Sequence, residues 1–81
     1  MNSDGLMGFD LSHNGYWSNG RTKQGYKTRV DCANNCLQDC VASDTSAHEC
    51  FHYKENNDVA STNDRYDSNF KAYFKCLGIY I

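Results

Sequence analysis

The chain has no proline, no long hydrophobic run and no block of basic residues. Without proline it has no rigid polyproline segment for a recognition domain to bind. Without about 18 consecutive apolar residues, no membrane insertion is expected. Its eight lysine and arginine residues are scattered and are outnumbered by ten aspartates and glutamates. A nucleic-acid partner needs clustered positive charge and is therefore not expected.

What the sequence does have is cysteine and aromatic residues. Five cysteines and 14% aromatic residues occur among 81 residues whose mean hydropathy is only -0.77. A single domain this small rarely gains more than about 3–5 kcal/mol from its hydrophobic core. High cysteine usage in so short a chain favours an oxidising compartment and disulfide bonds. We therefore expect an extracellular or secreted protein. Residues 1–9 lack a basic region followed by an apolar stretch, so we expect a mature domain without a signal peptide.

The first three cysteines predict the one clear helix. Cys32, Cys36 and Cys40 are spaced four residues apart, which in a helix places them along one side. Thr28 is suited to cap the helix, and Asp31 places a negative charge in its first turn. The sequence thus predicts a helix over about residues 29–41, whose buried face combines cysteines and aliphatic residues.

The remaining segments predict short strands and polar loops. Strand signals are alternating hydrophobicity or aromatic and β-branched residues between turn residues. They occur at residues 8–11, 50–53 and 70–81, and at Tyr16-Trp17, which lies between two Asn-Gly turn signals and reads as a strand or a loop. Residues 42–48 read as a polar connector and residues 55–69 as a long polar loop. The predicted fold class is α+β, with a short twisted antiparallel sheet crossed by one α-helix in a single disulfide-stapled domain.

The helix start, followed by a cysteine that opens an aromatic strand, resembles the PAN/apple domain superfamily. That superfamily includes the N-terminal domains of plasminogen and hepatocyte growth factor, apple domains and leech anti-adhesive proteins. The resemblance covers about residues 8–77. The residues that carry it are the strand Gly8-Phe9-Asp10-Leu11, the helix residues Thr28, Asp31, Cys32, Ala33, Cys36 and Leu37, the strand Cys50-Phe51-His52-Tyr53, and Cys76. It departs from the family pattern in the extra Cys40, in His52 where a small residue is usual, and in a longer interval before Cys76.

The resemblance implies a pairing of Cys32 with Cys76 and of Cys36 with Cys50. Cys40 is then left as a buried free thiol, or as an intermolecular disulfide that links a homodimer or a larger assembly. The resemblance further implies a non-catalytic extracellular module that binds a protein or carbohydrate ligand in adhesion. A small secreted anti-adhesive or inhibitory effector is the first alternative.

Metal binding and catalysis have weaker signals. His48, Cys50 and His52, together with the three cysteines of the predicted helix, offer zinc ligands, which keeps an intracellular Cys/His zinc-binding domain as a second alternative. The short Cys-x-x-Cys chelate of most structural zinc sites is missing, so no metal or cofactor is expected. A catalytic Cys–His pair needs a concave pocket, and so short a chain offers little concave volume, so no enzyme activity is expected.

Candidate ligand-binding residues lie between the Asn-Gly turns and the helix. Aromatic side chains among polar and basic residues are a common means of contacting sugars or partner loops. For Trp17 the favoured interpretation is that it is the largest core residue of a small fold, and for the lysines and arginines the default is that they are merely solvated. The predicted ligand-binding set, which favours an acidic glycan or an acidic protein surface, is Tyr16, Trp17, Arg21, Lys23 and Tyr26.

Overall fold

A computed structural model describes residues 6–76 of the chain. Within that range it contains seven strands, one α-helix and two 3-10 helices. The strands and helix are β1 (Phe9–His13), β2 (Gly15–Trp17), β3 (Thr22–Gln24), α1 (Arg29–Asn34), β4 (Ala42–Thr45), β5 (Cys50–Tyr53), β6 (Asp64–Tyr66) and β7 (Lys71–Lys75). No helix among the described residues is long and apolar enough to cross a membrane.

Five strands form an antiparallel sheet in the order β1-β7-β4-β5-β3, and β2 pairs with β6 in a second, two-stranded sheet. The central strand is β4, where Ala42 lies opposite Phe74 on one side and Tyr53 on the other. An antiparallel sheet, one helix and two disulfides confirm the α+β class.

Strand β4 corrects the prediction that residues 42–48 form a polar connector. All of its residues are buried, although Ser43, Asp44 and Thr45 are polar. Aspartate and serine are unusual in a buried strand. The Asp44 carboxylate can be buried here because it is paired with Arg21, a partner that lies far away in the sequence.

Helix α1 is much shorter than the predicted helix over residues 29–41. It begins as expected, since the Thr28 hydroxyl accepts a hydrogen bond from the Asp31 backbone N–H at 3.0 Å. It ends after six residues. Asn35 follows the helix, and its side-chain amide donates to the Asp31 carbonyl at 2.9 Å. Asparagine side chains compete in this way with the helical backbone, which explains the early end.

The long polar loop predicted over residues 55–69 also contains regular structure. It holds the 3-10 helices Asn56–Val59 and Ser61–Asn63, followed by β6. Glu55 and Asp58 cap the first of these helices reciprocally, and its last residue, Val59, is buried. The predicted strand over residues 70–81 is found at β7, and its last five residues lie outside the described range.

The core forms two clusters, on opposite faces of β7 because successive strand residues alternate between faces. On the helix side, Tyr73 packs with Leu6, Phe9, Ala33, Cys36 and Cys40. On the other side, Ala72 packs with Trp17, Ala42, Tyr53 and Val59. Val30 and Leu37, expected on the buried face of the predicted helix, are 57% and 62% exposed. Leu37 lies beyond the end of α1, and Val30, although it is in α1, is not among the helix residues that are buried, Cys32 and Ala33.

Gly15 provides a test of how closely β2 and β6 pack. Its φ is +150°, and a Cβ atom there would overlap the backbone carbonyl oxygen of Arg65 in β6. We expect Gly15→Ala to lower the free energy of unfolding by about 2 kcal/mol, measured by urea denaturation. The matched control is Gly25→Ala, where a Cβ meets nothing within 4 Å. Equal effects of the two substitutions would contradict this packing.

Candidate functional site

Two disulfides connect the helical region. The Cys32–Cys50 disulfide joins α1 to the start of β5, with its Cα atoms 5.6 Å apart. The Cys36–Cys40 disulfide closes the turn that follows the helix, with its Cα atoms 5.0 Å apart. Cys76, half-buried just after β7, is the free cysteine.

This connectivity corrects the pairing that the PAN/apple resemblance implies. Cys32 is not bonded to Cys76, because Cys76 follows β7, and β4 lies between β7 and β5. Cys36 is not bonded to Cys50, because the chain turns after the helix and brings Cys40 beside Cys36. Cys40 is therefore neither a free thiol nor available for an intermolecular disulfide. All five cysteines lie within the described range, and Cys76 is the one that is free and could form an intermolecular disulfide.

The guanidinium of the predicted ligand residue Arg21 is held by contacts within the protein, although 23% of the side chain is exposed. Its guanidinium donates two hydrogen bonds to Asp44, from Nε to Oδ2 at 3.0 Å and from Nη2 to Oδ1 at 2.8 Å. The guanidinium carbon lies 4.1 Å from the ring centroid of Tyr16, 3.7 Å from that of Phe51 and 4.8 Å from that of Phe70. Each ring face attracts the cation, so Arg21 is held by aromatic rings as well as by a carboxylate.

Tyr53 completes a buried network around Asp44. Its hydroxyl contacts an Asp44 carboxylate oxygen and accepts a hydrogen bond from the Trp17 backbone N–H at 3.0 Å. Burial, together with the hydrogen bond to Asp44, raises the pKa of Tyr53 well above its ordinary value. Trp17 is 0% exposed, so it is a core residue, as the favoured interpretation of the sequence had it, and its place in the predicted ligand-binding set is wrong.

The other predicted ligand residues do not converge on one site. The Lys23 ammonium forms an exposed ion pair with Glu49 at 3.3 Å. Tyr26 is 37% exposed, and its ring stacks on that of His52 with a centroid distance of 6.3 Å. Tyr16 is half-buried against Arg21 and Phe70.

His52 lies on the helix side of the sheet and is 7% exposed. Its Nε2 lies 2.8 Å from the Cys32 carbonyl oxygen. A carbonyl can only accept, so Nε2 carries the proton. Burial lowers the pKa of His52, and the hydrogen bond to Cys32 opposes that effect in part.

The lowered pKa of His52 predicts a loss of stability in acid. The folded chain binds fewer protons at His52 than the unfolded chain, so acidification below the unfolded pKa of about 6.5 favours unfolding. We expect the contribution of neutral His52 to the free energy of unfolding to be complete above that pH. It should decrease as the pH falls towards the pKa of His52 in the folded chain. His52→Gln keeps an N–H for the Cys32 carbonyl and should reduce this slope in urea titrations at a series of pH values. If the dependence of the free energy of unfolding on pH is unchanged in His52→Gln, the loss of stability in acid comes from other groups.

Two of the grooves on the described part of the chain lie at points that the sequence did not predict. The first has a volume of about 550 Å³ and lies between the Cys36–Cys40 turn and the end of β7. The ring of Phe74 in its wall is 40% exposed. The free Cys76 lines it beside Cys40 and Lys75, whose ammonium donates to the Leu37 carbonyl at 2.7 Å. This groove is amphipathic.

The second groove is cationic. It has a volume of about 480 Å³ and lies between the start of α1 and the segments flanking β4 and β7. Its lining residues are Lys27, Thr28, Arg29, Thr45, Ser46, Ala47, Ser68, Asn69 and Lys71, with three cations and no carboxylate among them. We refer to it as the basic groove.

Contacts with neighbouring residues position two of the three cations. Arg29 Nη1 donates to the Tyr73 hydroxyl at 3.0 Å, and Lys71 Nζ donates to Asn14 Oδ1 at 3.4 Å. Lys27, like Arg29, is exposed. Lys27 precedes α1 and Arg29 is its first residue, in a stretch of the sequence that carries several positive charges. Lys71 is 44 residues beyond Lys27, and only the folded sheet brings it to the same groove.

Comparisons of the chain with family models, with curated proteins and with solved structures find no match. The PAN/apple resemblance therefore stays a prediction from the residues that carry it.

Proposed function

We propose that the chain is a non-catalytic extracellular module that binds an acidic glycan in the basic groove. The observation that carries the proposal is the convergence of Lys27, Arg29 and Lys71 on a groove whose described lining residues include no carboxylate, in a chain whose formal net charge is -2. Positive charge concentrated in a concave surface attracts anions and raises their local concentration. Two disulfides support an oxidising, extracellular setting.

The neutral groups of the basic groove support a glycan over a simple anion. Ser68 and Asn69 are exposed there and offer a hydroxyl and an amide beside the cations. Sulfate or carboxylate groups would pair with the cations, while sugar hydroxyls would exchange hydrogen bonds with these neutral groups. The PAN/apple resemblance supports the same class of function. A secreted anti-adhesive effector is the alternative context for the same binding.

The test is titration with a sulfated glycosaminoglycan fragment, followed by calorimetry at low and at physiological salt. The expected result is binding that weakens as the salt concentration rises, because solvent-exposed charges are screened. The double variant Lys27→Gln, Lys71→Gln should bind roughly tenfold more weakly, since two exposed charge contacts together contribute about 1.4 kcal/mol.

The matched control is Lys54→Gln, which removes an exposed lysine outside the basic groove. It should change the affinity only slightly. Equal binding of a neutral oligosaccharide of the same length would contradict the proposal. An equal loss in Lys54→Gln, or tighter binding of an acidic peptide than of the sulfated fragment, would also contradict it.

A further inference from the structure

Three potential metal ligands meet on the helix side of the sheet. The sulfurs of Cys32 and Cys50 and a ring nitrogen of His52 all lie within 4.8 Å of one another. Cys32 and Cys50 are 0% exposed and His52 is 7% exposed. In the oxidised chain the two sulfurs are bonded to each other, so the cluster is a disulfide beside an imidazole.

The hydrogen bond of His52 gives its ring the form that a metal ligand requires. Because Nε2 donates its proton to the Cys32 carbonyl, the Nδ1 atom of the neutral ring has a free lone pair. Histidines that bind metals almost always donate their other N–H to a carbonyl, carboxylate or water, which fixes the ring orientation. The stacked ring of Tyr26 restrains the imidazole further.

We propose that reduction of the Cys32–Cys50 disulfide converts this cluster into a site for a divalent, borderline-soft metal ion such as Zn²⁺. The reductant is a dithiol. Two electrons pass from it to the disulfide, the S–S bond breaks, each sulfur takes one proton, and the dithiol becomes a disulfide. Metal binding then releases both thiol protons to solvent and forms two metal–thiolate bonds and one metal–imidazole bond.

The spacing of the two cysteines accommodates this change. Zinc–sulfur bonds of about 2.3 Å in a tetrahedral site place two sulfurs about 3.8 Å apart. Side-chain rotation can reach that spacing with the Cα atoms 5.6 Å apart. The protein supplies three ligands, which leaves the fourth position to water or an external ligand. The site is separate from the basic groove, which none of the three ligands lines.

The experiment uses a chain that carries Cys36→Ser, Cys40→Ser and Cys76→Ser, so that its only thiols come from Cys32 and Cys50. It is reduced with a trialkylphosphine, which adds no competing thiol, and titrated with Co²⁺. The expected result is one equivalent bound, with thiolate-to-cobalt charge-transfer bands, intense four-coordinate d–d bands and displacement by Zn²⁺. His52→Gln, which retains the donor to the Cys32 carbonyl, should bind at least about tenfold more weakly.

The matched control is a chain that retains Cys36 and Cys40 and carries serine at 32, 50 and 76. It has two thiols four residues apart and should show no comparable spectrum. Equal Co²⁺ affinity in this control, or in His52→Gln, would overturn the proposal. If the test chain with Cys36→Ser, Cys40→Ser and Cys76→Ser fails to fold, equilibrium dialysis of the reduced wild-type chain against Zn²⁺ tests the site instead. One zinc ion retained, and lost on Cys32→Ser, supports the site, whereas none retained refutes it.

Discussion

Replacing Asp44 by asparagine is expected to lower the free energy of unfolding by about 3 kcal/mol, the lower end of the usual cost of breaking a buried ion pair by removing one partner, because 23% of the Arg21 side chain is exposed to water. The Arg21 guanidinium would keep its charge beneath three aromatic rings without an anion to neutralise it. The Tyr53 hydroxyl would also lose its carboxylate partner. Urea denaturation followed by circular dichroism measures the change.

The matched control is Glu49→Gln, which breaks the exposed ion pair with Lys23. That substitution should cost no more than about 1 kcal/mol, because exposed ion pairs contribute little. Adding Arg21→Met to Asp44→Asn should restore part of the loss, since it removes the unpaired charge. If Asp44→Asn costs no more than Glu49→Gln, the network around Asp44 does not stabilise the central strand.

Reduction of both disulfides is expected to unfold the chain in the absence of metal. The chain-entropy model gives about 3 kcal/mol for the Cys32–Cys50 disulfide and about 2 kcal/mol for the Cys36–Cys40 disulfide. Their sum equals the lower end of the total stability of ordinary folded domains, about 5 kcal/mol. Loss of the native far-UV spectrum in excess phosphine with a chelator checks the prediction. A melting temperature that is unchanged by reduction would contradict it.

The same disulfides predict different effects for two pairs of serine substitutions. Replacing Cys32 and Cys50 should destabilise the chain more than replacing Cys36 and Cys40, because the first disulfide closes a loop with a sequence separation of 18 and the second one of 4. Cys76→Ser should leave both disulfides intact. Maleimide labelling of the unreduced protein should modify one thiol and map it to Cys76, whereas a label on Cys40 would overturn the pairing.

Local signals in the sequence predicted local structure well. The Thr28 cap depends on residues within one turn, and the alternation that marks β1 and β5 depends on their own side chains. The end of the helix was missed although its signal was present in Asn34-Asn35, because the cysteine spacing suggested a longer helix. Strand β4 could not be predicted from its own residues. Burial of Asp44 depends on Arg21, which is 23 residues away in the sequence.

The candidate sites were predicted less completely, for the same reason. Lys27 lies in the stretch that the sequence already marks as positive, whereas Lys71 reaches the basic groove only through the pairing of β7 with β4. The pairing of the cysteines also depends on where the chain turns. Cys36 and Cys40 are neighbours across a turn, and a helix of the predicted length would have excluded that bond.

The three rings around Arg21 have a consequence for what this protein can recognise. Aromatic cages of this kind bind cationic ligands such as quaternary ammonium groups in other proteins. Here the cage already contains a guanidinium from its own chain, fixed by two hydrogen bonds to Asp44. Arg21 thus acts as an internal ligand that competes with any external cation for the same ring faces. The fold uses its aromatic cage for its own stability, so the acidic ligand proposed above would have to be bound by the basic groove and not by these rings.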